Sequence, residues 1–314
     1  MKISVIIPVY NASAFLEKAV DSALQFEEVA EVVLAEDAST DHSLELCRKL
    51  SQEHERVILY QHDDKGNHGA AATRNLGIKN ATSQFISFLD ADDYYLPNRF
   101  AAEKNIFRNE KIDGIFGALG TEFITEKGRD EFQEKFKNNG LTTVQFAAEG
   151  RTVFEGLIGV SHNTFGSFFH LNTLTVKRAV LLEHNLYFNK NLRVHQDSDF
   201  IIKLAYQSYL KTGIIDEAVA IRGVHDDNRI TKIKQYSPKF YSNQLMLHES
   251  LYEWANSNKI DQKYLQKITL DYLSFKIANE KGIKKYLHFT VAAIQNPQLL
   301  KTRYRFHALN PQIQ

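Results

Sequence analysis

The chain has 314 residues, 43% of them hydrophobic and 24% charged, a globular profile that argues against wholesale disorder, collagen and coiled coil. Lys plus Arg (38) balances Asp plus Glu (38), which argues against a nucleic-acid binder, ordinarily a basic protein. The balance is uneven: residues 232–314 hold thirteen Lys/Arg against five Asp/Glu, a net +8, so the rest carries −8 and the basic end predicts an anionic neighbour.

Ile3 to Ile7 reads as a buried strand stopped by Pro8, too short for a signal-peptide core. Ser13 to Leu24 sets Phe15, Leu16, Ala19, Val20, Ala23 and Leu24 on one helical face. Val32 to Ala35 is a strand. Ser39-Thr40-Asp41 then caps a helix marked by Leu44, Cys47 and Leu50. Cys47 stands alone, so it forms no internal disulfide; it reads as a buried structural thiol and fits a reducing compartment. Strands follow at Val57 to Tyr60 and Phe85 to Leu89, with a helix from Ala70 to Lys79 between them. Pro97 is expected to open the next helix, before a strand at Ile112 to Phe116. This β-α alternation predicts a mostly parallel sheet covered by helices on both faces. Residues 120–175 lack periodicity, Leu192 to Leu210 reads as a loop and a helix, and the chain from Ser237 on reads as helical. No stretch approaches the ~18 apolar residues of a membrane span.

Ligands of open α/β sheets bind beyond the carboxyl ends of the strands. Glu36-Asp37, Asp63-Asp64 and Asp90-Ala91-Asp92-Asp93 all fall there, beside Pro8-Val9-Tyr10-Asn11. Seven carboxylates on one rim repel unless cations or hydrogen-bond donors face them, and a divalent metal with a nucleotide supplies both. Asp90-Ala91-Asp92 is the sharpest signal, because a rigid strand presents hard oxygen ligands suited to Mg²⁺ or Mn²⁺. The alternative is a turn cap before Pro97.

Four blocks together resemble the family 2 glycosyltransferases. Ser4-Val5-Ile6-Ile7-Pro8-Val9-Tyr10-Asn11 looks like that family's opening strand, and Glu36-Asp37-Ala38-Ser39-Thr40-Asp41 is similar to its Asp-Asp-Gly-Ser-Thr-Asp loop. Gly69-Ala70-Ala71-Ala72-Thr73-Arg74-Asn75-Leu76-Gly77 resembles its Gly-x-x-x-Ala-Arg-Asn-x-Gly helix, and Asp90-Ala91-Asp92 its Asp-x-Asp motif. The resemblance implies a GT-A fold with a Rossmann-like nucleotide-binding half, and inverting, metal-dependent transfer of a sugar from a nucleotide donor, here a UDP-sugar. It implies that Pro8, Tyr10, Asn11 and Asp37 hold base and ribose, that Asp64 and Ala91 line the donor, and that Arg74 braces the donor loop. Asp90 and Asp92, with His225, are the implied ligands of Mn²⁺ or Mg²⁺. Ala38 stands where glycine is usual, so the turn is expected not to need a positive φ. Thr73 stands where alanine is usual, a tolerable change.

Leu192-Arg193-Val194-His195-Gln196-Asp197-Ser198-Asp199-Phe200 resembles the segment carrying the family's general base, with Gln196 in place of Glu. Asp197 is the implied base. Helical spacing sets it with Phe200, Ile201 and Leu204 on the inward side, and sets Asp199 with Lys203 as a solvated pair. Arg222 to Thr231 resembles the family's His-x-x-Asn-x-Ser/Thr ending, the source of the His225 assignment. His162, His170 and His195 show no metal-ligand spacing and are expected to be structural or acceptor-side. Phe165, Phe168 and Phe169 read as a packed core rather than a sugar platform.

The expected organisation is a GT-A domain over 1–231, with 1–100 binding the nucleotide-sugar and 101–231 supplying acceptor contacts and base, then a basic helical region over 232–314. The expected acceptor is a glycan or lipid-linked glycan in cell-surface polysaccharide synthesis. Leu299, Leu300, Tyr304, Phe306 and Leu309 interleave with Lys301, Arg303 and Arg305, so this end is expected either on an anionic inner-leaflet surface or packed on its own domain or a twin subunit in a homodimer. The expected location is cytoplasmic. A dehydrogenase is disfavoured because no Gly-x-Gly-x-x-Gly is present, and a dehalogenase-type phosphatase because its Asp-x-Asp lies near the N-terminus. The surviving alternative is a non-catalytic sugar-nucleotide-binding module of the same fold, favoured only by Gln196.

Overall fold

The computed structural model describes residues 1–136, 140–161, 163–166, 168–226 and 233–309. The elements in order are β1 (Ile3–Val9), α1 (Leu16–Leu24), β2 (Val29–Glu36), α2 (Ser43–Glu53), β3 (Val57–Gln61), α3 (Ala70–Asn80), β4 (Phe85–Phe88), β5 (Tyr94–Tyr95) and α4 (Glu103–Ile106). They continue with β6 (Gly114–Phe116), β7 (Ala118–Phe123), α5 (Glu126–Phe136), β8 (Leu141–Thr142), α6 (Arg151–Leu157), β9 (Thr175–Lys177), α7 (Arg178–Glu183), α8 (Gln196–Gln207), β10 (Leu210–Thr212) and β11 (Ala218–Val224). Helices α9 (Pro238–Ser257), α10 (Gln262–Ala278), α11 (Gly282–Gln295) and α12 (Thr302–Leu309) follow. Two compact units result: Met1–Arg193 with Phe200–Asp227, and Val194–Asp199 with Asn228–Gln314.

The first unit is built on a seven-stranded sheet in the order β10-β6-β9-β4-β1-β2-β3. β1 pairs in parallel with β2 and with β4, and β2 in parallel with β3. Both faces of this sheet are covered, so β1 reads Ile-Ser-Val-Ile-Ile-Pro-Val and is buried along nearly all its length. Helix α1 buries Leu16, Ala19, Val20 and Ala23 in the same core. Helix α3 lies so close to β1 that a Cβ at Gly77 would come 2.3 Å from Ile6 Cγ2, which accounts for glycine there. The chain moves outward from β1 to β2 and β3, then returns to the other side of β1 as β4. That reversal opens a crevice beyond the carboxyl ends of β1 and β4, the place where such sheets bind ligands.

The structure adds two features that the sequence left open and departs from its expectation in a third place. Strand β9, at the end of the aperiodic stretch, runs antiparallel to both β4 and β6, so the sheet is mostly but not wholly parallel. A second sheet, β5-β11-β7-β8, draws on the same stretch. Pro97 opens a series of turns, not a helix; α4 begins only at Glu103. Here Arg99 is buried and its guanidinium donates to Ser87 Oγ, to Glu103 and to the carbonyls of Asn172 and Leu174, which ties this stretch to its neighbours residue by residue.

The second unit is helical. Ser237 caps α9 by accepting from Phe240 N–H, and Pro238 follows at the first helical position. Its core includes Leu270, Ile277, Phe289, Leu299 and Tyr304. Two residues of the expected membrane-facing end, Leu299 and Tyr304, are therefore interior, and Leu309 packs against them; Leu300 and Phe306 are exposed. Among the described residues no helix is long and apolar enough to cross a membrane.

Candidate active site

The turn after β4 carries the acidic cluster. Asp90 Oδ1 accepts from Arg74 Nη2 at 2.6 Å, its backbone N–H donates to Asn172 Oδ1 at 3.1 Å, and His170 Nε2 lies 4.0 Å from its other oxygen. Burial acts to raise the Asp90 carboxyl, but the Arg74 guanidinium, with Arg222 behind it, holds it below the ordinary carboxylate range. Asp92 Oδ2 lies 3.1 Å from His225 Nε2 at the end of β11, and the His225 ring stacks on Phe15 with centroids 4.8 Å apart. Asp93 is buried and accepts from Gly223 N–H at 2.9 Å and from the Asn172 side-chain amide. Burial first, then the Asp92 and Asp90 charges, push its carboxyl well above the usual range. Asp93 is thus a clamp between the turn and β11. A Cβ at Gly223 would stand 2.5 Å from the Asp92 carbonyl oxygen, so the close approach of strand and turn requires glycine. Beside Asp92 and Asp93 lies a recess of about 300 Å³, walled by Phe15, Lys18, Tyr94, Glu122, Phe123 and Ile124.

The loops after β1, β2 and β3 form the other wall. Asn11 is knitted to the β2 loop: its N–H donates to Ser39 Oγ, and its side-chain oxygen accepts from Thr40 N–H at 2.8 Å. Pro8 pairs with Ala35 inside the sheet, and Tyr10 is exposed at the rim. Asp37 is buried, and its two oxygens accept from His68 N–H at 2.7 Å and Gly69 N–H at 2.8 Å, so its carboxylate holds the third loop in place. Asp64 is exposed and accepts from Gly66 N–H and from the His68 ring at 2.8 Å. Glu36 accepts from Ser39 N–H and the Gln61 amide. Five rim carboxylates (Glu36, Asp37, Asp64, Asp90 and Asp93) are therefore met by donors of the protein itself. The Ala91 side chain is buried in the core. One expectation fails: Ala38 adopts φ 56°, the left-handed region, although it is not glycine. The turn from β2 into the Ser39-Thr40-Asp41 cap keeps the geometry of a glycine turn and strains alanine into it.

The donor set fits a hard divalent cation. Single donor atoms of Asp90, Asp93 and His170 lie within 4.8 Å of one another, and Asp92 with His225 adds a carboxylate and an imidazole. His170 was expected to be structural or acceptor-side; the structure brings it to Asp90. Burial, then the Arg222 charge, drives its pKa down to about 3, so the ring is neutral. Asn172 N–H donates to Nδ1 at 3.3 Å, which puts the ring proton on Nε2, facing Asp90. Ligation through Nε2 requires that contact to open, whereas Asp90 and Asp92 already face solvent in part. Arg222, in β11, contributes positive charge at Asp90, Asp93 and His170. Neither Arg222 nor Asn172 nor His170 carries a local sequence signal; each lies more than 75 residues from Asp90 and is brought in by β11 or the turn before β9. Asn75, inside the Arg-Asn motif, is a structural clamp that exchanges two hydrogen bonds with the Phe188 backbone at 2.9 and 2.8 Å.

Asp197 and Asp199 both lie in the first turn of α8, after His195 at φ 63°. Asp197 is half-buried; Phe200, Ile201 and Leu204 are buried, as the inward-face reading requires. Asp199 is not a solvated residue. It is fully buried and accepts from Ser250 Oγ of α9 at 2.8 Å. The spacing argument gave α8 a single apolar face and could not foresee the Ser250 hydroxyl that Asp199 meets. Phe165 and Phe169 are core residues, Phe169 stacked on Phe116 at 3.8 Å. His162 and the 227–231 part of the His-x-x-Asn ending lie outside the described residues. His195 Nε2 lies 3.3 Å from the Gln244 amide nitrogen.

Known proteins similar to this chain include glycosyltransferases and a teichoic acid biosynthesis protein. An uncharacterized glycosyltransferase of Rickettsia felis is 39% identical over 132 residues, 41% of this chain and 20% of that protein. The minor teichoic acid biosynthesis protein GgaB of Bacillus subtilis is 26% identical over 229 residues, 71% of this chain and 23% of that one. The chain thus spans about a fifth of the length of these curated relatives. Among solved structures, S. aureus TarS 1-349 in complex with UDP-GlcNAc aligns with a TM-score of 0.61 at 17% identity, over 97% of this chain and 83% of that one. The mannosyltransferase PcManGT of Pyrobaculum calidifontis, in complex with GDP-Man and Mn²⁺, aligns with a TM-score of 0.52 at 16% identity, over 97% and 82%. At such identities the likeness shows the fold, a GT-A type. Residues 4–166, just over half of the chain, match the Glycosyl transferase family 2 profile, and the chain belongs to that family.

Proposed function

We propose that the chain transfers a sugar from a UDP-sugar to a hydroxyl of a glycan or lipid-linked glycan, with inversion. The observation that carries this reading is the crevice at the β1/β4 switch point, where Asp90, Asp92, Arg74 and His225 converge beyond the strand ends. The UDP preference is supported by the TarS complexes, the metal by the Mn²⁺ complex of PcManGT and by the donor set described above.

Pro8, Tyr10, Asn11 and Asp37 frame the base and ribose, with Asp64 and the Ala91 backbone at the edge. Asp90 and Asp92, joined by His225, hold Mn²⁺ or Mg²⁺, which when bound neutralises charge on the departing diphosphate. Arg74 fixes Asp90, and Arg222 adds a fixed positive charge where the diphosphate leaves. The acceptor oxygen attacks the anomeric carbon opposite the diphosphate. The bond from that carbon to phosphate oxygen breaks, its electron pair leaves on the nucleotide diphosphate, and the hydroxyl proton passes to the Asp197 carboxylate. The Asp197 assignment rests on the motif match and its place in the first turn of α8.

The test is turnover of UDP-, GDP- and dTDP-sugars with Mn²⁺, repeated with excess EDTA and with Asp92→Ala. Loss of turnover in both arms supports the metal assignment; full turnover in EDTA refutes it. Thermal stabilisation by UDP with no turnover of any donor refutes the enzyme reading in favour of the sugar-nucleotide-binding module, which Gln196 favours.

A further inference from the structure

Helix α11 is covered on one side only. Lys285, Phe289, Ala292 and Ala293 are buried, the last three in the core of the second unit. On the other side Ile283 is 75% exposed, Tyr286 59%, Leu287 57%, Val291 54% and Ile294 76%. At 100° per residue these five fall within an arc of about 140°, interrupted by Thr290 and holding no charged side chain, a stripe and not scattered surface residues. Such a stripe on a helix end-to-end marks a surface made to be covered.

Charge selects what covers it. From Lys281 to the last residue of the chain there are six Lys/Arg and no Asp or Glu. Lys284 and His288 border the stripe, and Lys301, Arg303 and Arg305 are exposed in the segments that follow, beside exposed Leu300 and Phe306. A second copy docked through the same face sets these cations against each other. An anionic bilayer instead takes the apolar side chains among its acyl chains and pairs the cations with headgroups. The sequence pattern pointed to the α12 region for such a contact, but Leu299 and Tyr304 there are interior.

We infer that the exposed face of α11, centred on Leu287 and Ile294, lies in the interface of an anionic lipid bilayer. This inference is independent of the sugar transferred and of the metal. The full chain is tested by co-sedimentation with vesicles of phosphatidylglycerol and phosphatidylcholine, and of phosphatidylcholine alone, at low and high salt. Wild type is expected to sediment with the anionic vesicles, more weakly at high salt. Ile283→Ser/Leu287→Ser/Ile294→Ser is expected to partition at least ~10-fold less, with unchanged circular dichroism and a Tm within a few degrees, because these side chains are more than half exposed. Val291→Glu, which sets an acid against the headgroups, is expected to act in the same direction. No binding of wild type at low salt overturns the inference, as does binding that the triple variant leaves intact. A concentration-dependent dimer in sedimentation velocity that the triple variant disperses also overturns it, because a second copy then covers the stripe.

Discussion

Gly223→Ala is the most direct test of how the acidic turn is held. The added methyl would stand 2.5 Å from the Asp92 carbonyl oxygen and 2.9 Å from Ile124 Cδ1. The side chain of Ile124 can give way, but the carbonyl is backbone. Relief to ordinary contact distance moves turn or strand by roughly 1 Å, and both anchors of the turn lie on that path. Gly223 N–H donates to Asp93 at 2.9 Å, and His225, two residues on, meets Asp92 at 3.1 Å. Overpacking of this kind costs about 1–3 kcal/mol, and a ~1 Å misplacement of reacting groups can cost about 10²-fold in rate. The expected result is a Tm lower by several degrees, Mn²⁺ dependence shifted to higher concentration, and donor turnover reduced by about two orders of magnitude. Calorimetry and a metal titration of turnover read these separately. A Gly223→Ala protein with wild-type Tm and turnover refutes the argument that this glycine sets the turn.

Asp197→Asn is expected to lower transfer by at least ~10²-fold while UDP binding by calorimetry is retained; Asp199→Asn is expected to act on stability through the Ser250 contact, with a milder effect on transfer. Abolition of transfer by Asp199→Asn alone refutes the assignment. Ala38→Gly is expected to raise the Tm, since left-handed alanine costs about 1–2 kcal/mol and glycine gives back about 0.5–1 kcal/mol in chain entropy; a lower Tm refutes the strain. His248, stacked on Phe275 at 4.8 Å, has its pKa driven down to about 4, chiefly by burial, with Lys267, His195 and His307 acting in the same direction and Asp271 against. The unfolded chain then takes the proton first, so this contribution to stability is present above about pH 6.5 and is lost as pH falls toward 4. His248→Phe is expected to flatten urea midpoints between pH 7 and 5, and an unchanged slope counts against burial as the cause.

The nucleotide-binding half was legible because each of its elements follows a local rule. β1, β2 and β4 are continuous apolar runs, as strands buried on both faces must be, and α1 shows a single apolar stripe. Loops between them are short, so position in sequence fixes position on the rim. Beyond residue 96 that logic weakens. β9 is three residues long and reversed in the sheet, and Arg99 sits buried in the core. A buried arginine satisfied by carbonyls and Glu103 leaves no pattern, because its partners are far apart in sequence.

The site shows the same division. Asp90, Asp92, Arg74 and His225 were legible from motif blocks, and the structure brings them together. His170, Asn172 and Arg222 were not, since nothing in their local sequence reports a charge arriving from β4. Asp199 shows why helical spacing alone misassigns a carboxylate. On an isolated amphipathic helix an acid with lysine four residues later is a surface pair, and the inference is sound for a helix with one partner. α8 is buried at Phe200, Ile201 and Leu204, and its first turn also meets Ser250 of α9. A second partner at the helix start places one of its acids inside whatever the spacing says, and that acid is kept by a hydrogen bond instead of by water. The sequence sign of such a helix is a short polar turn, Gln196 to Asp199, with two acids and no cation before Lys203. The two carboxylates of this turn thus differ in setting: Asp199 is buried and hydrogen-bonded to Ser250, and Asp197 is half-buried at the same helix start.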